Sequence, residues 1–270
     1  MEPLFVFEHG KYRPTDRARG PWDPRMLHGG PSAALLAHAL DAERRDPALW
    51  MTRITIDLLR PVRQTPLTVR TQMVREGKRI RLVDAFLFDD DILLARASGL
   101  MLRRTGSKLG MEAPARQRQI PSWETLAPYT IEFGNGVGLF HCGTEFRLVP
   151  KTHPEQALAM WIRIPYSLLP GQPLTRLEYT AAISDYANAI GNMANLTKGG
   201  FINADIALNL HREPEGEWLC MESVIRPDHA GIATSNVILH DAVGLLGSVS
   251  VSCLANPLPK GFGNGTGIAG

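Results

Sequence analysis

The stretch from His28 to Leu40 places the strongest constraint on how this chain can fold. Gly29, Gly30 and Pro31 lead directly into a run, residues 32–40, that is apolar at nearly every position. Proline suits the first turn of a helix, where its missing N–H would have no partner in any case. A helix that is apolar on almost every side must be buried on every side. The sequence therefore predicts a central helix, ending near residue 45, that other elements must surround.

Backbone N–H groups at the start of this helix could bind an oxyanion. The first N–H groups of a helix have no intrahelical acceptor, and together they carry about +0.5 of a charge. Glycines let a carbonyl group approach them closely. Pro31 has no N–H, so the candidate donors are Gly29, Gly30 and Ser32, with His28 orienting the loop or binding a substrate. The alternative interpretation is a glycine-rich turn that only leads into a core helix, with a structural histidine.

Length and composition indicate a globular protein with two domains. The chain has 270 residues, 44% of them hydrophobic, and a net charge of +2. It has no basic run typical of nucleic-acid binding and no apolar stretch of the roughly 18–20 residues that span a bilayer. The start of the chain does not look like a signal peptide. We expect a cytoplasmic protein.

The cysteines and histidines do not predict a metal or redox centre. Cys142, Cys220 and Cys253 are far apart in the sequence, without the spacing of a zinc site or a redox pair. We expect them to be reduced core residues. The histidines also lack paired ligand spacing.

Hydrophobic periodicity predicts one helix followed by four antiparallel strands, and then the same order again. In the first half the strands are predicted at residues 52–59, 67–74, 80–88 and 93–102. A proline-containing connection at 105–136 precedes strands at 138–142, 145–149 and 157–164. A second helix is predicted at 175–196, ended by the Lys198-Gly199-Gly200 turn, before strands at 201–210, 218–226, 231–240 and 245–254. One helix with a four-stranded antiparallel sheet is an α+β unit.

Sequence spacing indicates that the two units are an internal duplication. Arg60–Ala95 spans 35 residues, and Arg212–Gly247 spans the same 35. This register makes Ser98 the counterpart of Ser250. The predicted divisions are an N-terminal unit at 1–106, a linker at 107–134, a C-terminal unit at 135–256 and a flexible tail at 257–270.

The second helix carries Asp185 in its middle, preceded by Ser184. Asp185 shares a helix face with Asn188 and Asn192, separate from the apolar stripe. A buried aspartate is costly unless it is paired or used in chemistry. Burial would raise its pKa towards neutral pH, which suits a general base. The alternative interpretation is an aspartate on a solvated face, or one satisfied by a neighbouring N–H.

Several motifs together resemble the double-hotdog acyl-CoA thioesterases, and within them the acyl-CoA thioesterase II (TesB-like) family. The motifs are Trp22 followed by His28-Gly29-Gly30-Pro31, Leu59-Arg60-Pro61-Val62, Ser184-Asp185, and Asn203-Ala204-Asp205 leading to Leu210-His211-Arg212 and Pro214. The resemblance covers about residues 5–255. It implies an α+β double hotdog: two fused units, each with an antiparallel sheet wrapped round a central helix, joined edge to edge.

The resemblance also implies one catalytic site per chain, built from both halves. Gly29 and Gly30 would supply the oxyanion donors, and Asp185 the catalytic carboxylate. In thioesterase II enzymes a threonine and a glutamine position water beside the aspartate, and those positions fall on Asn203 and Ser250 here.

A pseudo-symmetric second site would lie near Thr180 and Ala37. The Thr180 region has no glycine pair and position 37 has no carboxylate, which favours a single site.

These features predict hydrolysis of an acyl-CoA or acyl-carrier thioester to a free acid, with no metal or organic cofactor. A second hypothesis is a non-catalytic acyl-thioester binding protein, which the residues at 203 and 250 favour. Asp185 and the glycine pair favour the enzyme. A homodimer is possible, because hotdog sheets often pair.

Overall fold

The computed structural model describes residues 1–106, 119–131, 139–193 and 200–257. The predicted tail and much of the predicted linker lie outside the described residues. Within the linker range, Trp123–Thr125 form a 3₁₀ turn and Tyr129 pairs with Phe146 of the C-terminal half.

Each half contains a buried helical segment and a set of antiparallel strands. The first half has β1 (Glu2–Pro3), β2 (Phe5–Glu8), β3 (Lys11–Pro14), α1 (Gly29–Ala42), β4 (Leu49–Leu58), β5 (Leu67–Glu76), β6 (Ile80–Asp89) and β7 (Ile92–Arg103). The second has α2 (Leu139–Cys142), β8 (Glu145–Val149), β9 (Leu158–Arg163), β10 (Tyr166–Leu169), β11 (Gln172–Pro173), α3 (Arg176–Ser184), α4 (Ala187–Gly191), β12 (Gly200–Asn203), β13 (Asp205–Leu210), β14 (Leu219–Pro227), β15 (Ile232–Asp241) and β16 (Gly244–Asn256).

One antiparallel sheet runs through both halves. Its order is β2-β3-β5-β6-β7-β4-β13-β16-β15-β14-β9-β8, with β12 also paired to β16, so the halves join edge to edge through β4 and β13. At that seam Thr55 pairs with Ala207. Thr55 also pairs with Ser98, and Ala207 pairs with Ser250. The pairing confirms the repeat register read from the sequence, and it confirms the α+β double-hotdog fold.

The prediction that α1 is buried on every side is confirmed. All residues from Gly30 to Ala37 are buried. The helix packs against β4 to β7 on one side and against α3 on the other. Because α1 and α3 pack side by side, the start of one helix can reach residues of the other.

The second helix is interrupted at Asp185 and Tyr186, which the sequence analysis did not predict. Asn203 donates a hydrogen bond of 2.9 Å to the backbone carbonyl of Asp185. The hydroxyls of Ser223 and Ser235 donate to the carbonyl of Ala187, at 2.8 and 2.9 Å. Side chains of the sheet thus bond the carbonyl groups around the break, and Asp185 lies at the junction of α3 and α4.

Three other sequence predictions need correction. Residues 139–142 form the short helix α2 and not a strand, and α1 ends at Ala42 rather than near residue 45. Cys142 is exposed, whereas Cys220 and Cys253 are buried as expected. The predicted end of the second helix at Lys198-Gly199 lies outside the described residues.

Candidate active site

The carboxylate of Asp185 lies directly against the first turn of α1. A Cβ atom added to Gly29 would lie 2.5 Å from Oδ1 and 2.6 Å from Oδ2 of Asp185. A Cβ on Gly30 would lie 2.7 Å from the backbone oxygen of Ala182 in α3. At both positions a side chain would collide with a neighbouring atom, so only glycine fits. At Gly29 the neighbour is the Asp185 carboxylate, and at Gly30 it is the backbone of α3.

His28 is the second partner of Asp185. Its Nδ1 lies 2.7 Å from Oδ2 of Asp185 and 3.1 Å from the backbone nitrogen of Gly30. An ionised carboxylate cannot donate, so the short contact requires the proton on Nδ1 of His28. The Gly30 N–H lies within hydrogen-bond reach of both Nδ1 of His28, the residue that caps α1, and the Asp185 carboxylate, whose pKa it lowers. The imidazole packs between Phe140 and Tyr186, with ring centroids 4.8 and 5.1 Å away.

Asn203 holds the other oxygen of the carboxylate. Its Nδ2 donates to Oδ1 of Asp185 at 2.8 Å, while its own Oδ1 accepts a hydrogen bond of 2.5 Å from Nδ2 of Asn188. Asn188 also donates to the carbonyl of Phe201 at 3.2 Å. The bond from Asn188 fixes which end of the Asn203 amide faces Asp185. Sequence reasoning had assigned Asn188 no role; its place on the same helix face as Asp185 was the available signal.

The expectation that burial raises the pKa of Asp185 is wrong. Burial does favour the neutral acid, but the charge and hydrogen bond of His28, together with donors from Asn203 and Gly30, outweigh it. The pKa of Asp185 therefore lies below its ordinary value, and the group is a carboxylate at neutral pH.

This lowered pKa predicts how stability depends on pH. A carboxyl group with a lowered folded-state pKa contributes its full stabilisation above the unfolded pKa of about 3.9, and loses it as pH falls through the folded-state value. Thermal unfolding of the wild type and Asp185→Asn should differ by a constant amount between about pH 5 and pH 7. The difference should shrink below about pH 4. A wild type that instead gains stability relative to the variant as pH falls from about 7 to about 5 would show that burial dominates and that the pKa of Asp185 is raised.

Ser250 does not join this cluster. Its side chain is exposed and its hydroxyl donates to Oδ1 of Asn236 at 3.3 Å. Asn203 pairs with Cys253 across β12 and β16. Because side chains alternate between the two faces of a strand, Cys253 faces the site and Ser250, three residues earlier, faces away. The repeat spacing in the sequence does not show which residues of β16 face the Asp185 cluster.

Cys253, and not Ser250, is the residue of β16 that lies beside Asn203. Its Sγ lies 3.8 Å from Oδ1 of Asn203, and burial raises the pKa of its thiol to about 12. The group beside Asn203 is therefore a neutral, weakly polar thiol.

Of the three candidate oxyanion donors, one remains available. The N–H of Gly30 is taken up by the His28 side chain and the Asp185 carboxylate, and the N–H of Ser32 bonds the carbonyl of the capping residue His28 within the helix. The N–H of Gly29, at the first helical position, has no intrahelical acceptor. Gly29 is thus the donor that can meet a substrate carbonyl beside Asp185.

The cluster opens into a cavity of about 520 Å³. Both halves of the chain line it: residues 20–23, 26–29, 32 and 58–62 from the first, and residues 185–186, 188–189 and 200–203 from the second. His141, which the sequence analysis missed, also lines the wall; burial and the nearby His28 lower its pKa to about 3, so its ring is neutral. Most of the remaining wall is apolar, including Trp22, Leu27, Val62 and Phe201.

A second acid–histidine pair lies at the other end of the two helices. Asp185 is ten residues after the N-cap of α3, Thr175, and His38 is ten residues after the N-cap of α1. Nδ1 of His38 lies 2.8 Å from Oε1 of Glu178, in the first turn of α3. The pseudo-symmetric position of Asp185 is therefore His38, not the expected Ala37, and the matching helix start is Thr175 rather than Thr180.

The described residues hold neither a cluster of metal-binding side chains nor a membrane-spanning helix. They contain no group of three or more histidine, cysteine or acidic side chains placed to hold a metal ion. No helix among them is long and apolar enough to cross a membrane.

Solved structures of other proteins share this fold. The TesB protein of Mycobacterium avium subsp. paratuberculosis is 17% identical, with a TM-score of 0.70 over 94% of this chain and 97% of that one. Acyl-CoA thioesterase II TesB2 of Mycobacterium marinum is 16% identical, with a TM-score of 0.68 over 96% and 97%. A conserved hotdog-fold protein of Alicyclobacillus acidocaldarius is 13% identical, with a TM-score of 0.72 over 93% and 95%.

Two family models match most of the sequence. Residues 18–102 match the acyl-CoA thioesterase N-terminal domain, and residues 111–254 match the acyl-CoA thioesterase C-terminal domain. The comparison with curated proteins gave no match. Since the two matched segments span both halves of the sheet and every residue of the Asp185 cluster, this chain belongs to the acyl-CoA thioesterase family.

Proposed function

We propose that this protein hydrolyses acyl-CoA thioesters to a free acid and CoA, with Asp185 as general base and Gly29 as oxyanion donor. The observation that carries the proposal is the contact between the Asp185 carboxylate and the first turn of α1. This contact supports the proposal because a carboxylate and a backbone N–H without an intrahelical acceptor then lie next to each other at one cavity. The proposal takes 1–106 and 135–256 as the two units, each supplying one side of the site.

The reaction needs only groups that the site contains. Asp185 takes a proton from a water molecule as the water oxygen attacks the thioester carbonyl carbon. The carbonyl oxygen gains negative charge, which the N–H of Gly29 stabilises. When the carbon–sulfur bond breaks, CoA leaves as its thiolate, and the proton held by Asp185 returns to sulfur.

The partners of Asp185 keep it in the form that can accept a proton. His28 and Asn203 hold the carboxylate ionised and fix its orientation. A lowered pKa also weakens the carboxylate as a base, so the proposal relies on position more than on basicity. Correct placement of reacting groups can supply about 7–11 kcal/mol of the barrier reduction.

The shape and polarity of the cavity agree with an acyl substrate. Its apolar wall suits a hydrocarbon group. Arg60 also lines the cavity, and its side chain is exposed. An exposed arginine at such an edge can bind the phosphates of CoA.

Release of free thiol from a panel of short, medium, long and aromatic acyl-CoAs tests the proposal directly. We expect turnover on at least one of them, and the same panel carried on an acyl-carrier protein would separate the two kinds of thioester. Saturable binding of acyl-CoA without any thiol release would contradict the proposal and support a binding protein instead.

A further inference from the structure

Ser32 in α1 has a hydroxyl group that the fold itself does not use. The residue is completely buried, and among the described residues its Oγ has no hydrogen-bond partner. Other buried hydroxyls on the central helices behave differently. Thr180 donates to the carbonyl of Arg176 at 2.7 Å, and Ser184 donates to that of Thr180 at 2.8 Å. Helical serines usually take this route, four residues back, and Ser32 does not.

Such a hydroxyl is unfavourable for folding. A buried polar group without a partner loses its hydrogen bonds to water and gains none in return. The next two residues of the helix, Ala33 and Ala34, are also completely buried, so an alanine side chain fits this environment without that loss. An unpartnered buried group in a well-packed element is a sign of a functional requirement.

The position of Ser32 indicates what that requirement is. Ser32 lines the same cavity as Gly29 and Asp185. Residues three apart share a helix face, and Ser32 lies about 4.5 Å further along α1 than Gly29. With the thioester carbonyl at the Gly29 N–H, a few carbon–carbon bonds of the acyl chain bring its third or fourth carbon beside Ser32.

No part of Ser32 is exposed in the free protein, so to meet that part of the chain the hydroxyl must rotate about the Cα–Cβ bond towards the cavity that the residue borders. A serine hydroxyl both donates and accepts, so it can bond either a hydroxyl or a keto oxygen. The cavity wall also includes Leu27 and Val62, whose side chains offer no competing hydrogen bond. A plain hydrocarbon chain would leave the Ser32 hydroxyl unpartnered in the complex, as it is in the free protein.

We propose that Ser32 selects acyl groups that carry an oxygen on the third or fourth carbon. The preferred substrates of the site are then hydroxyacyl or ketoacyl thioesters rather than unsubstituted ones. This inference rests on the proposed thioesterase function and adds the substrate class to it.

The test compares 3-hydroxybutyryl-CoA and 4-hydroxybutyryl-CoA with butyryl-CoA. For the wild type, kcat/KM should be about tenfold higher for one of the hydroxylated esters, the usual effect of one hydrogen bond that would otherwise be missing. Ser32→Ala should bring this ratio close to one. Ser235→Ala is the matched control: Ser235 is also completely buried, but its hydroxyl donates to Ala187. That variant should keep the wild-type ratio.

Thermal unfolding without ligand provides an independent readout. Ser235→Ala should lower Tm because it removes a hydrogen bond, whereas Ser32→Ala should leave Tm unchanged or raise it. A wild-type ratio of one, or a ratio that Ser32→Ala preserves, would overturn the inference while leaving thioester hydrolysis intact. If none of the three esters is hydrolysed, the wider acyl-CoA panel decides the proposed function, and the dissociation constants of the three esters, measured by calorimetry, decide the role of Ser32 by the same ratio.

Discussion

Replacing Asp185 with asparagine is expected to lower the turnover number by about 10²-fold or more, the usual contribution of a positioned general base. Asparagine keeps the size of the side chain but cannot accept a proton from water. Its NH₂ group would also face one of the donors that now bond the carboxylate, so unfolding free energy should fall by about 1–3 kcal/mol. Thiol release and thermal unfolding, measured on the same preparation, separate the two effects.

Glu178→Gln is the matched control for this experiment. Glu178 is also a buried acid on α3 that contacts a histidine of α1, but it lies at the opposite end of the helix pair. Loss of its charge should cost some stability and leave turnover per folded molecule close to the wild type. If Asp185→Asn keeps full turnover, Asp185 is not the base. Equal losses in the two variants would point to a structural effect of removing either acid.

Substituting Gly29 with alanine should lower turnover by about 10²-fold, because a misplacement of about 1 Å can have that effect. The new methyl group would lie about 2.5 Å from the Asp185 carboxylate, so either the carboxylate or the start of α1 must move. Movement of either separates the base from the oxyanion donor. We expect kcat to fall much more than KM rises, because the substitution does not alter the apolar wall that we propose as the acyl-binding surface.

Gly99→Ala provides the comparison for Gly29→Ala. A Cβ there also meets an atom closer than a normal contact, but that atom is the Sδ of Met51, near the end of a flexible side chain. Gly99→Ala should change Tm with little effect on kcat. Unchanged kcat in Gly29→Ala would mean that the close contact with the carboxylate has no part in the reaction.

The lowered pKa of Asp185 depends on groups from separate parts of the chain. His28 and Gly30 come from the start of α1, and Asn203 comes from the end of β12. From sequence, burial was the one effect that could be anticipated, and it acts in the opposite direction. An electrostatic balance of this kind is set by distances of about 3 Å, which only the packing of the two halves creates.

The sequence by itself determined the buried helix that starts at Gly29, the repeated order of one helix and its strands, and the repeat register that relates the two halves. Each depends on local patterns: apolar periodicity, glycine and proline positions, and a fixed spacing along the chain. The glycine pair and Asp185 were also found this way, because a buried carboxylate and a double glycine are unusual in such helices.

The tertiary structure decided which side chains meet Asp185. It placed Cys253 rather than Ser250 beside Asn203, because which face of β16 turns inward depends on its pairing with β12. It put His38 opposite Glu178 at the second helix end and left the Ser32 hydroxyl unpartnered among the described residues. These contacts join residues up to about half the chain apart, and no periodicity in the sequence specifies contacts over that separation.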